Sequence, residues 1–348
     1  MVLANIKERS DMTQAQFMRP GASFAVGSLP HRRAVDAVDF SWQATTIPTI
    51  PSLPRRSPSE LMVAQALIGI DGVSLGQYGG INVDTARVDL EGPVETDLFH
   101  EAFGGFSNFL SSIPEHPSPD VVKWQFVGPI TLGAVLLRVG LSADVAFPLA
   151  LKVVRSHMRV LEDAIARRLP SSTQIIVLDE PMLNEAWAHD FAITPDDVLD
   201  FISAALAIVD ENNIAGLHCC ARTDWNALLA TGASILSVPV PSPSQAEEVA
   251  DLMSSARRIS EHLLSGGRIA WGAVRTDGPI SPSPERAWRI LKEIWGSLIA
   301  QGVDPELLRS HSMLTPVCGL GNHTEALAHQ VFEHLDVLST RVAEDGIQ

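Results

Sequence analysis

The chain has 348 residues, 46% hydrophobic and 19% charged, the proportions of a globular protein with a substantial core. Twenty-five Lys and Arg stand against 41 Asp and Glu, a formal net charge of −16, which argues against nucleic acid or an anionic membrane as main partner, because both reward a basic face. Three cysteines, two of them adjacent, cannot build a secreted disulfide framework, the start Met1–Arg9 is too charged for a signal peptide, and no apolar run reaches membrane-span length, so a cytoplasmic location is expected.

In chain order, residues 1–21 read as a polar leader and residues 22–348 as one domain. Ser23-Phe24-Ala25-Val26 is an apolar strand running into Gly27-Ser28-Leu29-Pro30, and the helical spacing of Ala34, Val35, Ala37, Val38 and Phe40 predicts a helix behind it. Thr46–Pro54 is a second strand and loop, too rich in proline to sit throughout in a central ladder. Ser57-Pro58-Ser59-Glu60 starts a short helix, and the glycine-rich alternation between Gly72 and Asp89 suggests a hairpin or excursion after the second strand region.

A helix is expected from about Asp97 to Ser112, and from there the alternation becomes regular. Strands are expected at 121–127, 174–178, 214–217, 234–238, 268–274 and 312–317, with helices at 143–168, 195–212, 224–231, 244–265, 284–301 and 324–343. With the two earlier strands this makes eight, most followed by a helix, and no composition shift divides them. Repeated strand–helix units favour a parallel sheet, and eight of them favour a single (β/α)8 TIM barrel with an N-terminal extension.

The polar, glycine- and proline-rich segments gather at the C-terminal strand ends, where such barrels keep their chemistry. Leu217-His218-Cys219-Cys220 puts His218 and Cys220 on one face of a strand, and Cys318 ends another. One imidazole and two thiolates make a three-ligand zinc site with an open position. Cys219 points to the opposite face and reads as packing. The fourth ligand is not evident, with His311, His323 and Asp277 as weaker candidates. Asp179-Glu180-Pro181 places carboxylates where they can hold a substrate ammonium, although acids also favour helix N-termini. Backbone amides freed at Gly27-Ser28 and at Gly128-Pro129-Ile130-Thr131 suit a carboxylate. Trp187, Trp225 and Trp271 lie near these loops, with core packing as their default role.

Gly27-Ser28-Leu29-Pro30, Gly128-Pro129-Ile130-Thr131, Asp179-Glu180-Pro181, His218-x-Cys220 and Cys318-Gly319-Leu320, in this order, resemble the C-terminal catalytic barrel of cobalamin-independent methionine synthase, within the superfamily that includes uroporphyrinogen decarboxylase. The resemblance spans roughly residues 22–340. It implies His218, Cys220 and Cys318 as zinc ligands, Asp179 on the substrate amino group, and Gly27-Ser28 on its carboxylate. The activity implied is methyl transfer to a small-molecule thiol, most plausibly homocysteine, with folate or a corrinoid protein supplying the methyl group.

Two departures accompany it. Leu236–Val240 carries no acid where that family places a glutamate ligand, and Asp277 is the nearest polar substitute for its acid-catalytic histidine. The competing readings are a metal-free decarboxylase-like enzyme, which predicts an arginine-dominated cleft, and a non-catalytic barrel that binds a small ligand.

Overall fold

The computed structural model describes residues 18–76, 80–276, 278 and 280–344. Most of the expected leader, and Asp277, lie outside the described residues.

Six parallel strands form one curled sheet in sequential order: β3 (Val121–Val127), β4 (Thr173–Asp179), β5 (Ile214–His218), β6 (Ile235–Pro239), β7 (Arg268–Val274) and β8 (Ser312–Pro316). The hairpin expected after Gly72 is present as the antiparallel pair β1 (Val73–Leu75) and β2 (Ile81–Val83). The sequence of β3, Val-Val-Lys-Trp-Gln-Phe-Val, shows why the sheet is covered on both faces. Val122, Trp124 and Phe126 join the large apolar cluster under the helices, while Val121 joins an inner cluster with Phe24, Val177, Ile235, Ala270 and Met313.

The expected eight-strand ladder is reduced to six. The segments around residues 22–28 and 46–52 run between the two sheet edges, and their strand pairing is limited to isolated parallel bridges, Ser23 to Leu314, Ser28 to Ser52 and Thr49 to Lys123. The cause is chemical: Pro48 and Pro51 have no N–H to donate, so a continuous ladder cannot form there. Side chains replace the missing ladder bonds. The Ser23 N–H donates to Thr46 Oγ1 (2.6 Å), the Thr46 N–H to Ser23 Oγ (3.2 Å), and the Ala25 N–H to Thr49 Oγ1 (3.0 Å).

Thirteen helices of α type flank the sheet among the described residues. Those used below are α1 (Ala34–Gln43), α4 (Pro129–Arg138), α5 (Ala143–Arg168), α7 (Pro195–Leu206) and α13 (Glu325–Glu344). Helix α7 starts with a full capping box, Thr194 with Asp197, and proline at its first position. Helix α5 has the expected span of 143–168. Helix α4 was not anticipated, because Gly128-Pro129-Ile130-Thr131 was read only as a strand-end loop. Pro129 at the first helical position is the signal that marks it. No helix among the described residues is long and apolar enough to cross a membrane.

Candidate active site

The ladder places three polar side chains in one row. Asp179 on β4 is in register with His218 on β5, and His218 with Ser237 on β6, so all three project from one level at the C-terminal end of the sheet. The His218 Nδ1 lies 2.9 Å from Ser237 Oγ. This contact fixes the ring and leaves Nε2 pointing elsewhere. The Nε2 is buried and meets no hydrogen-bond partner, and the same is true of Asp179 Oδ1. Orphaned buried polar atoms on two neighbouring strands are costly and suit a site that receives a charged or metal-bound group.

Cys220 and Cys318 approach the row from two loops. Cys220 follows β5 and Cys318 follows β8, and both are half-buried. The neighbouring Cys220 and His218 pull the Cys318 thiol down to about 4, while Cys318 and burial drive Cys220 upward. Within the pair, ionisation is favoured at Cys318 over Cys220. Cys219 is fully buried in the outer apolar cluster.

His218, Cys220, Cys318, Asp179 and Ser28 line one cavity of about 420 Å³ at the C-terminal strand ends. Its wall also includes Met62, Gln125 and Pro54, and among the described residues it contains no arginine. Ser28 is drawn against the Cys318 loop: the Leu320 N–H donates to the Ser28 carbonyl (2.8 Å) and the Gly321 N–H to its hydroxyl (3.3 Å). A side chain at Gly319 would begin 2.1 Å from Ser28 Oγ, so this approach requires glycine.

Other candidates fall elsewhere. Gly27 does not line the cavity; at φ 141° it leaves room for the Gln125 side chain, which would lie 2.1 Å from an added Cβ. Glu180 is fully buried, and its carboxylate accepts from the N–H groups of Ile130 (2.8 Å) and Thr131 (2.7 Å) and from Thr131 Oγ1 (2.6 Å). It therefore caps the start of α4 and is absent from the cavity wall. Burial raises it to about 7 against these donors. His311 stands at the opposite end of β8, bonded to the Leu307 carbonyl (3.1 Å), and His323 is not part of the cavity. Trp271 is fully buried with its Nε1 donating to Ser312 Oγ (2.8 Å), and Trp225 packs against it with ring centroids 6.0 Å apart.

Lys123 was missed. It is fully buried inside the sheet, donates through Nζ to the Val26 carbonyl and to Gln125 Oε1 (2.9 Å), and faces Phe24 at 5.7 Å. Burial lowers Lys123 and raises Asp179, and each charge offsets the other's shift. The signal was available: Lys123 and Gln125 are i and i+2 polar residues on one face of an apolar strand.

The donor set suits a soft metal such as zinc: two thiols, and an imidazole whose second nitrogen is already held by a hydroxyl. In the present side-chain positions, no group of three or more His, Cys, Asp or Glu among the described residues closes to metal-binding geometry.

No protein-family model and no curated protein matches the chain. Among solved structures, the chain is similar to a Listeria monocytogenes protein assigned as a vitamin-B12-independent methionine synthase, at 12% identity over 93% of this chain and 99% of that one, with a TM-score of 0.53. Bee venom hyaluronidase, at 12% identity over 79% and 84% of the two chains, and a Burkholderia cenocepacia protein assigned as a lyase or mutase, at 11% over 97% and 89%, score 0.38 and 0.36. The Listeria likeness supports a shared α/β fold, built here on a curled six-stranded parallel sheet.

Proposed function

We propose that the chain is a zinc-dependent methyltransferase acting on a small thiol, homocysteine being the best-fitting acceptor, and that residues 22–28 and 46–52 serve as the first two staves of its barrel. The observation that carries this reading is the convergence of His218, Cys220, Cys318 and Asp179 on one cavity at the strand ends, with His218 Nε2 and Asp179 Oδ1 both unpaired. His218, Cys220 and Cys318 would hold the metal. Bound zinc supplies Lewis acidity that makes a thiol strongly nucleophilic near neutral pH.

The chain's own residues orient the acceptor. Asp179 presents a buried oxygen with no partner, which an amino-acid ammonium satisfies better than water does, because the bond is charge-assisted in a dry site. Lys123 beneath it favours the ionised carboxylate that this contact needs. The Ser28 hydroxyl lines the same cavity and is placed to meet the acceptor's carboxylate. Ser237 holds the ring of His218, so the imidazole enters the cavity in one orientation.

The decarboxylase-like alternative predicts an arginine-dominated cleft, and a wall without arginine among the described residues disfavours it. The methyl donor, folate or corrinoid, is left open by this reasoning. The test is elemental analysis of the purified protein with Cys220→Ser alongside. About one zinc per chain, lost in the variant, together with homocysteine-dependent methyl uptake that Cys318→Ser abolishes, is the expected result. Absence of zinc after reconstitution removes the thiol-activation mechanism.

A further inference from the structure

A second and larger cavity, about 640 Å³, lies between α1 and α13 and shares no lining residue with the first. Its wall carries five carboxylates, Asp36, Asp39, Glu325, Glu333 and Asp336. Only Asp36 has an ion pair among the described residues, an exposed one with Arg33 at 3.3 Å. Four neighbouring acids without a counter-charge repel one another and raise the local demand for cations.

An independent feature points the same way. His31 also lines this cleft, is 3% exposed, and its Nδ1 is buried without a hydrogen-bond partner. Burial lowers its pKa, which keeps the ring neutral near pH 7 with one nitrogen free to accept. The ring is held against Phe40 at 5.1 Å, and Phe40 in turn meets His329 at 4.7 Å and Phe332 at 5.4 Å. The floor is therefore apolar and aromatic while the rim is acidic, which suits a cation with a hydrocarbon body.

The spacing separates an organic cation from a metal ion. Glu325, His329, Glu333 and Asp336 recur at helical intervals on one face of α13, so the first and last carboxylates stand about 16 Å apart along the axis at 1.5 Å per residue. Asp36 and Asp39 follow the same spacing on α1. No three such groups among the described residues close around a single point. Charges strung along two helices match a ligand whose own charges are separated.

We propose that the cleft between α1 and α13 binds an aliphatic di- or polyamine, its ammonium groups on the spaced carboxylates, its methylenes over Phe40 and Phe332, and His31 Nδ1 as a buried acceptor. The site is independent of the methyl-transfer reading.

Calorimetric titration of the full chain with spermidine at low ionic strength tests it, with butylamine as the single-charge comparison. Saturable one-to-one binding is expected, much tighter for spermidine than for butylamine and weakened by added salt. Glu325→Gln with Asp336→Asn is expected to weaken it roughly tenfold. His31→Phe, which keeps the ring against Phe40 and removes the acceptor, is expected to weaken it by a few fold, with an unchanged melting temperature showing that the fold is kept. Absence of saturable binding, or unchanged affinity in either variant, overturns the proposal. So does an equal loss in Asp196→Asn with Glu211→Gln, exposed acids that line neither cavity, because the attraction would then be to net charge alone.

Discussion

Two buried glutamates hold the two halves of this molecule, and they do so under different conditions. Glu180 works in the regular half, where β3 to β8 form a continuous ladder and its carboxylate needs only to anchor the start of α4. Glu60 works in the irregular quarter, where prolines interrupt pairing. There it accepts from the Leu53 N–H (2.9 Å), the Gly105 N–H (3.1 Å) and Arg56 (2.6 Å), joining its own segment to the turn at residues 53–56 and to the start of the helix Gly104–Ser112, which no ladder connects. The difference teaches that a strand end supplies reactive residues at fixed heights, whereas the interrupted segments supply wall and opening and need side-chain ties to stay in place.

The largest effect should come from cutting the tie where nothing else substitutes for it. Glu60→Ala leaves two buried backbone donors and Arg56 without their acceptor, and a loss of about 3 kcal/mol or more is expected in urea unfolding. Equal hydrogen exchange in residues 46–60 of the variant and the parent would show that the irregular quarter is held by something else.

Glu180 sharpens the contrast through pH. Its folded pKa is raised to about 7 from an ordinary 4.5, so the native state holds a proton the unfolded chain has released. Its contribution to stability is full below the unfolded pKa and is lost as pH rises through about 7. Relative to Glu180→Gln, the parent should lose stability between about pH 5 and 8, by at most about 3 kcal/mol. Parallel stability curves for the two proteins would mean that the carboxyl is ionised throughout.

Lys123 lies where the halves meet, and Lys123→Met should cost less. The variant abandons the Val26 carbonyl and Gln125 Oε1 but also removes a buried charge, so a net loss of about 1–2 kcal/mol is expected by urea unfolding. Asp179 should at the same time become harder to ionise, which carboxyl NMR reads directly. The smallest effect belongs to Arg222→Ala in the regular half, which breaks exposed pairs with Glu247 (2.6 Å) and Asp251 (2.8 Å). A change below about 1 kcal/mol in melting experiments is expected.

What could be read from the residues follows the same division. From Val121 to Pro316 the apolar runs are short, uninterrupted and separated by helical patterns, so strands and order were visible, and β7 has its expected bounds of 268–274. His218 and Cys220 were legible because two-residue spacing on a strand fixes a shared face. The first two strands were legible as extended chain but not as bridges, since the partners of Ser23 and Thr49 lie far off in sequence. Glu180 was read beside the cavity because α4 was not seen; once Pro129 opens a helix, the neighbouring acid has amides to meet. Glu60 looked like part of a helix start, and its contact with Gly105 depends on tertiary packing that no local pattern announces.

The seam between the opening segment and the region after β8 has a consequence for how the molecule is made. Ser339 donates to the Gly21 carbonyl across 318 residues of chain, and Gly321 reaches Ser28 across 293. At a synthesis rate of about 5–20 residues per second, Phe24 and its neighbours wait on the order of tens of seconds before their partners emerge. During that interval the ladder from β3 onward can assemble strand by strand from sequential neighbours, while the opening segment has its partner at residues 46–52 but lacks the one on β8. The cavity, whose wall needs both Ser28 and Cys318, is therefore among the last features to form.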